Sequence, residues 1–378
     1  MWILGFSTSN RRNLWIIGAI GLAVAVAIML RRLAVYLESQ GRARGSSSNN
    51  NSCKVCQGKK NMNMNMNNCN INNNNIIRTY SVEEVRRATR DFRIQIGIGG
   101  TSFVYLAELG GGTLAAVKRV MQERGGTRKM FLDEVSVLLR ISHPNLVGLM
   151  GFCLEKSEQH LLLEYVPHKS LFHRMHTYYG QCSGILSWSN RINIALDVAR
   201  ALDYLHSHAD PPIIHRDVKS SNVLLLDDDH AKLADFGLCK LGHQDGGSSS
   251  PSSVKGSLGY VDTHYIQTGS VCIKSDVYSF GVLLLELITG LNSLQGSLTL
   301  AEWTEEWRTT GDCEVFLRML LDPKLKLINN NSSNHNYVNL DQLLVLVDVA
   351  NSALLENPHA RPHMSQIVHR ISTCIQIE

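Results

Sequence analysis

A short polar string says more about this chain than its overall composition does. Residues 214–225 read IHRDVKSSNVLL, and the triplet DFG follows at residues 235–237. Transfer of a phosphoryl group needs little covalent chemistry from a protein but much positioning and charge neutralisation. In such a reaction Asp217 would accept or orient the substrate hydroxyl, and Lys219 would neutralise the transferred phosphate.

Two further side chains in the same region predict a metal site. Asn222 and Asp235 offer the hard oxygen atoms that Mg²⁺ prefers in proteins. A single DxKxxN string is usually an ordinary polar loop. The interpretation therefore depends on whether the upstream sequence supplies the rest of a nucleotide site.

A glycine-rich stretch upstream has the pattern of a phosphate-binding hairpin. Residues 96–105 read IGIGGTSFVY, which predicts a strand, a turn on Gly97, Gly99 and Gly100, and a second strand. Glycine lets backbone N–H groups approach phosphate oxygens closely. A dinucleotide-binding loop would open a helix at this point, so the second strand argues against that class of fold.

A lysine leaves the next predicted strand and needs a negative partner. Residues 114–118 read LAAVK, an apolar strand that ends in Lys118. Residues 129–140 then have helical spacing, with Glu134 near the apolar face. An ion pair between Lys118 and Glu134 would direct the ammonium group toward the α- and β-phosphates of a nucleotide.

Taken in order, these elements resemble a eukaryotic protein kinase, and most closely the plant receptor-like kinases of the receptor-like/Pelle group. The resemblance extends from about Tyr80 to Ile377. The local strings that add to it are YSVEEVRRATRDF at 80–92, HPNLV at 143–147, GFC at 151–153, LEYV at 163–166, KSDVYSFGV at 274–282 and RPHM at 361–364.

The resemblance implies an α+β, bilobed fold with a small, sheet-rich N-lobe that ends near Glu164 and a mainly helical C-lobe. ATP with Mg²⁺ would bind between the lobes, and the hinge would be the LEYV string. Lys118, Glu134, Asp217 and Lys219 would form the catalytic set. The implied ATP contacts are Ile96, Gly97, Gly99, Gly100, Val104, Ala116, Lys118, Glu164, Val166 and Leu224.

The string around the catalytic loop also indicates a substrate class and a form of control. Lys219, together with GSLGY at 256–260, resembles serine/threonine rather than tyrosine kinases. Arg216 directly before Asp217 is typical of kinases controlled in the activation segment, to which Ser257 belongs. The Ser/Gly run at 246–253 is either a plain flexible loop or a site where an added phosphate would pair with Arg216.

The sequence departs from the family pattern at two places. Ser102 occupies the usual position of the third loop glycine, and a small serine should cost little there. Thr263 and His264 stand where the family has Pro-Glu. Since that glutamate ordinarily pairs with the arginine at 361, the sequence predicts a buried Arg361 without its partner, and weakened activity.

The N-terminal region predicts a membrane anchor. Residues 14–30 run for 17 positions without a charged group, between Arg12 and Arg31. The excess of basic residues after this run places the C-terminal side in the cytosol. The expected order is a short extracytosolic segment at 1–13, the span at 14–30, an Asn-rich disordered linker at 31–78 and the catalytic domain at 79–378.

Charge is divided unevenly between these parts. Residues 1–78 hold ten of the 37 Lys and Arg and one of the 33 Asp and Glu, so the remaining 27 bases and 32 acids leave the folded part acidic. The basic balance therefore gives no support for nucleic-acid binding. The nine cysteines, including an isolated CxxC at 53–56, predict reduced thiols rather than a disulfide framework or a zinc site.

The prediction is a single-span membrane protein, with the plasma membrane implied by resemblance, that phosphorylates protein substrates. A co-receptor or dimer partner would fit a receptor-type protein. One alternative is a weakly active or inactive pseudokinase scaffold, supported by Ser102 and His264. Another is a membrane adaptor that works through its basic tail, but this class would not need the ordered site residues.

Overall fold

The structure is a computed structural model that describes residues 77–100, 102–121, 127–155, 158–177, 185–242, 253–309, 314–327 and 337–377. None of the helices within these ranges has the length and apolar character needed to cross a membrane. The predicted span at 14–30 and nearly all of the predicted linker lie outside the described residues.

The described chain up to Glu164 forms one six-stranded sheet. The strands are β1 Arg78–Thr79, β2 Gln95–Ile98, β3 Ser102–Glu108, β4 Leu114–Val120, β5 Leu149–Leu154 and β6 Gln159–Glu164. Their order in the sheet is β1-β5-β6-β4-β3-β2, and all neighbours are antiparallel except β1 and β5, which run parallel.

Two helices pack on this sheet. Helix α1 spans Val82–Ala88 and begins where the Ser81 side chain accepts the backbone N–H of Glu84. Its Val82 and Val85 join a small apolar cluster under the sheet. Helix α2, Thr127–Leu138, carries Glu134 and buries Phe131, Val135 and Leu138 in the main core.

The longer part of the described chain, after Glu164, is mainly helical and is organised around one buried helix. The helices are α3 Trp188–Asp203, α4 Thr263–Thr268, α5 Ile273–Thr289, α6 Leu300–Trp303, α7 Glu305–Thr309, α8 Glu314–Leu320, α9 Leu340–Ala353 and α10 Met364–Ile375. Every residue of α5 from Ser275 to Thr289 is buried. The helix ends at Gly290, whose φ of 68° suits glycine.

Short strand pairs join these helices and carry the loops of the site. They are β7 Ile213–Ile214 with β10 Lys240–Leu241, β8 Val223–Leu225 with β9 Ala231–Leu233, β11 Leu294–Gln295 with β12 Leu298–Thr299, and β13 Lys326–Leu327 with β14 Tyr337–Val338.

The predicted α+β, two-lobed architecture is confirmed. The sheet-rich lobe ends with β6 at Glu164, as expected. The ordered sheet begins at Arg78, one residue before the predicted start of the catalytic domain. Gly151 permits this early start, because a Cβ atom there would overlap the Arg78 carbonyl oxygen and the Tyr80 ring.

Candidate active site

The loop that carries Asp217 is hydrogen-bonded to the buried helix α5. Asp276 of α5 is fully buried and accepts the backbone N–H groups of His215 at 2.7 Å and Arg216 at 2.8 Å. Arg216 has a φ of 68°, a conformation that costs free energy in a residue with a side chain. The two hydrogen bonds to Asp276 therefore hold a strained turn that presents Asp217.

The His215 side chain also stabilises this loop. Its ring is completely buried, and burial lowers its pKa, so the imidazole is neutral. Its Nε2 lies 3.2 Å from the Ala234 carbonyl oxygen, and its Nδ1 lies 3.3 Å from the backbone nitrogen of Asp217. Nε2 thus donates and Nδ1 accepts, which ties Asp217 to the strand that leads into Asp235.

Asp217, Lys219 and Ser257 form a closed cluster. The Lys219 Nζ lies 2.7 Å from Asp217 Oδ2, and the Ser257 hydroxyl donates to Asp217 Oδ1 at 2.7 Å. Lys219 also donates to the Ser257 oxygen at 2.8 Å. The cluster brings the predicted catalytic pair against a serine of the activation segment, which the sequence placed nearby without specifying a contact.

The two predicted metal ligands are joined through adjacent backbone. Asn222 ends a single turn of 3₁₀ helix, and its carbonyl oxygen accepts the N–H of Ala234, the residue before Asp235. The Asn222 amide nitrogen donates to the backbone and carboxylate oxygens of Asp217 at 2.9 and 3.0 Å. The amide oxygen therefore points away from Asp217.

This donor set fits a divalent cation such as Mg²⁺. The side chain of Asp235 is 44% exposed, and its Oδ1 accepts a hydrogen bond from Lys118 Nζ at 2.7 Å. An amide oxygen and a carboxylate are the hard ligands that such a cation takes together with phosphate oxygens. The described residues contain no cluster of three or more His, Cys, Asp and Glu side chains suited to a metal.

Lys118 joins the sheet, helix α2 and the DFG triplet. Its Nζ donates to Glu134 Oε1 at 2.6 Å, so the predicted ion pair is present, and to Asp235 at 2.7 Å. Burial alone would lower the pKa of Lys118, but the two carboxylates outweigh it and raise that pKa. Lys118 is therefore a fixed cation. Burial raises the pKa of Glu134, against the opposite effect of Lys118.

The glycine hairpin, formed by β2 and β3, lies beside β4, the strand that carries Lys118. Gly97 pairs with Val104, and Val104 pairs with Lys118 across β3 and β4. Gly99 donates its N–H to the Ser102 carbonyl oxygen at 2.7 Å, which closes the turn. Ser102 is buried at the start of β3, so the serine fits in this position.

The remaining predicted nucleotide contacts lie on neighbouring elements. Ala116 is on β4 and pairs with Leu163 of β6, next to Glu164. Val166 follows β6 and is buried, and Leu224 is the central residue of β8. Three predicted contacts are less enclosed: Ile96 is 42% exposed on β2, a Cβ atom added at Gly100 would meet no atom within 4 Å, and Leu224 is half-buried.

The prediction that Arg361 lacks a carboxylate partner is wrong. Its Nη1 and Nη2 each donate to one oxygen of Asp262 at 2.8 Å, and both side chains are fully buried. Asp262 lies two residues before His264, the position at which the family pattern has the acid.

A second buried network was not predicted. Glu286 of α5 is fully buried and accepts the hydroxyl groups of Tyr260 and, at 3.0 Å, Ser220, while His176 Nε2 lies 3.1 Å away. Burial and Glu286 raise the pKa of Tyr260. This network fixes the activation segment, the catalytic loop and α5 to one another, but an apolar helix pattern gives no sign of it.

Comparison with known proteins agrees with this geometry. Residues 91–371 match the sequence profile of the protein kinase domain. A probable receptor-like protein kinase of Arabidopsis thaliana is 37% identical over 293 residues, which are 77% of this chain and 42% of the relative. The calcium/calmodulin-regulated receptor-like kinase 1 of that plant is 36% identical over 301 residues, 80% of this chain and 64% of the relative.

A third relative from the same plant, a probable LRR receptor-like serine/threonine-protein kinase, is 35% identical over 306 residues. The match covers 80% of this chain and 33% of that relative. The chain thus spans between about a third and two thirds of the length of these relatives.

Proposed function

This chain belongs to the protein kinase family, and from that premise we propose that it transfers the γ-phosphate of ATP to serine or threonine hydroxyls of protein substrates. The supporting observation is Lys118, whose Nζ contacts Glu134 of helix α2 and Asp235 of the DFG triplet at 2.6 and 2.7 Å. Protein kinases in general use ATP and a divalent metal.

Each side chain takes one part of this reaction. Asp217 accepts or orients the substrate hydroxyl, and Lys219 neutralises charge on the transferred phosphate. Lys118, held by Glu134, orients the α- and β-phosphates. Mg²⁺, held by Asn222 and Asp235, would screen the charge that collects on the phosphate oxygens.

The preference for serine and threonine rests on the cluster at Asp217. Lys219 lies two residues past Asp217 and donates to Ser257, which itself donates to Asp217. This arrangement agrees with the resemblance of GSLGY at 256–260 to the serine/threonine class.

Arg216 supports control by phosphorylation of the activation segment. Its Nε and Nη2 are buried and have no hydrogen-bond partner among the residues that the structure describes. A guanidinium with two buried, unused donor nitrogens is a group that a phosphate would satisfy. The serine-rich run that would carry the phosphate lies almost wholly outside the described residues.

We also propose a single-pass membrane anchor at residues 14–30, in a protein that acts in plant receptor-type signalling. The support is the uncharged run in the sequence and the similarity to receptor-like kinases. A co-receptor or a second copy of the chain would then be the natural source of the upstream signal.

The test of the function is direct. The full chain, purified in detergent, is incubated with γ-labelled ATP, Mg²⁺ and a general protein substrate, next to Asp217→Asn. Label should enter Ser and Thr of the substrate with wild type and fall by at least about 10³-fold in the variant. Hydrolysis and phosphoamino-acid analysis identify the residues. Wild-type ATP binding without transfer would overturn the proposal in favour of the pseudokinase scaffold.

A further inference from the structure

Arg361 lies deep in the helical lobe and uses every donor that it has. Nη1 and Nη2 each give one hydrogen bond to Asp262 at 2.8 Å. The other three N–H groups donate to the backbone carbonyl oxygens of Leu355 at 2.7 Å, Lys274 at 3.0 Å and Glu356 at 3.2 Å. A guanidinium has five N–H groups, so none is left for another acceptor.

Asp262 has two tasks at one position. Besides both bonds from Arg361, its Oδ1 accepts the backbone N–H of His264 at 3.0 Å, which caps the start of helix α4. The Arg361 guanidinium carbon also lies 5.1 Å from the centre of the Tyr278 ring on α5. The ion pair of Asp262 with Arg361 thus links the residues around Asp262 to the loop before α10 and, through Arg361, to α5.

The residues before Asp262 reach the catalytic centre. Ser257 donates to Asp217, and the backbone N–H groups of Tyr260 and Val261 donate to the Ser257 carbonyl oxygen at 3.0 and 3.2 Å. We name residues 257–262 the anchored segment. It is fixed at one end to the catalytic aspartate and at the other to Arg361.

We propose that Asp262 is a positioning residue that holds the anchored segment in register with Asp217 through its ion pair with Arg361, and that the His264 side chain takes no part in this. The role rests on the proposed function, because Ser257 of the segment contacts Asp217, the residue that would orient the substrate hydroxyl. Loss of Asp262 would move Ser257 relative to Asp217, while the proposed ATP-binding residues of the sheet-rich lobe keep their contacts.

The test compares Asp262→Asn with a matched control. Asp348→Asn also removes an aspartate from an ion pair with an arginine, Arg370, but at a position where the aspartate side chain is 71% exposed. Asp262→Asn should raise KM for the protein substrate at least about tenfold and leave KM for ATP within about twofold. Asp348→Asn should change neither constant.

Hydrogen exchange tests the anchor independently of activity. In Asp262→Asn, amides of residues 253–268 should exchange at least about tenfold faster, while those of the sheet-rich lobe stay at the wild-type rate. If wild type transfers no phosphate, the proposed function fails, but the exchange result still decides the anchor. Unchanged exchange in 253–268 would overturn the inference.

Further variants test the inference through protein stability, independently of catalytic activity. Asp262→Asn leaves Arg361 buried without a counter-charge, so the decrease in Tm of the double variant Asp262→Asn/Arg361→Gln should be smaller than the sum of the decreases of Asp262→Asn and Arg361→Gln alone. Additive shifts in Tm would contradict the pairing. His264→Glu should not raise Tm, because Arg361 has no free donor, and a clear increase would show that position 264 reaches Arg361.

Discussion

Lys118 carries a positive charge to a position where only 9% of its surface remains exposed. A lone ammonium group there would be costly, and the carboxylates of Glu134 and Asp235 make it tolerable. Glu134 depends on Lys118 in turn, since it is 5% exposed. Lys118, which we propose orients phosphate, is therefore also a structural residue, and its removal has two separable effects.

Lys118→Met should lower phosphoryl transfer by roughly 10²–10³-fold, because the phosphates lose their fixed cation. At about pH 8 it should also lower the free energy of unfolding by ~3–5 kcal/mol, since Glu134 is left buried and unpaired. The folded-state pKa of Glu134 is already raised, so its protonated form is favoured on folding. The destabilisation should therefore shrink as the pH falls toward about 5. Transfer assays and thermal melts at both pH values measure the two effects.

The double variant Lys118→Met/Glu134→Gln separates stability from catalysis. A neutral glutamine needs no counter-charge, so most of the lost stability should return while transfer stays low. Transfer by Lys118→Met within about tenfold of wild type would contradict the catalytic role, whatever the melting temperature.

At the scale of elements, the sheet-rich lobe is extended by the segment that enters it. Strand β1 adds a parallel edge to β5, and helix α1 inserts Val82 and Val85 into the apolar cluster beneath the sheet. Gly151 makes this possible, because its missing side chain leaves room for the Arg78 carbonyl group. The residues before position 91, where the match to the protein kinase domain begins, are thus part of the lobe that holds Lys118.

Gly151→Val should displace β1 and loosen α1, because the new side chain occupies the space of the incoming strand. The loss of the two valine contacts should lower the free energy of unfolding by roughly 2–4 kcal/mol. Thermal unfolding measures the loss, and hydrogen exchange should rise in residues 78–88 but not in α5. The control is Gly148→Ala, where the nearest atom to the added Cβ is Glu164 Oε2 at 3.6 Å. A Gly151→Val protein that melts like this control would contradict the argument.

At the scale of the whole molecule, the chain divides into two chemically different parts. The first 78 residues carry a net charge of +9 from ten bases and one acid, whereas the rest is net acidic by five charges. The uncharged run at 14–30 and the basic residues after it would both favour a membrane, but by different forces. Apolar burial is insensitive to salt, and attraction to anionic lipid is screened by it.

Residues 1–78 fused to a reporter should pellet with membranes and stay there at high salt, because a span is held by apolar burial. Replacement of Arg31, Arg32, Arg42 and Arg44 by glutamine should leave the fusion in the pellet. Deletion of 14–30 should release it at high salt. Release of the intact fusion by salt alone would mean that only the basic residues bind. Fractionation and immunoblotting give the result.

The sequence by itself determined the order of the elements and most of the site. A glycine hairpin, a strand that ends in lysine and a polar loop before DFG are local patterns, and each residue needed for phosphate chemistry lies within one of them. The pairing of Lys118 with Glu134 followed because a buried cation needs an acid and one helix supplied it. The boundary at Arg78 depended on space beside Gly151, which no local pattern reveals.

Only the tertiary structure decided which acid pairs with Arg361. Asp262 and Arg361 are 99 positions apart, and the pattern of the family pointed to position 264 instead. The hydrogen bonds of Glu286 likewise join residues 26, 66 and 110 positions away. A sequence states that a buried charge needs a partner, but the choice among acids depends on distances set when α4, α5 and α10 pack. In the folded protein the two carboxylate oxygens of Asp262 accept from Nη1 and Nη2 of Arg361. Without an acid at this place, those buried N–H groups would be left unsatisfied.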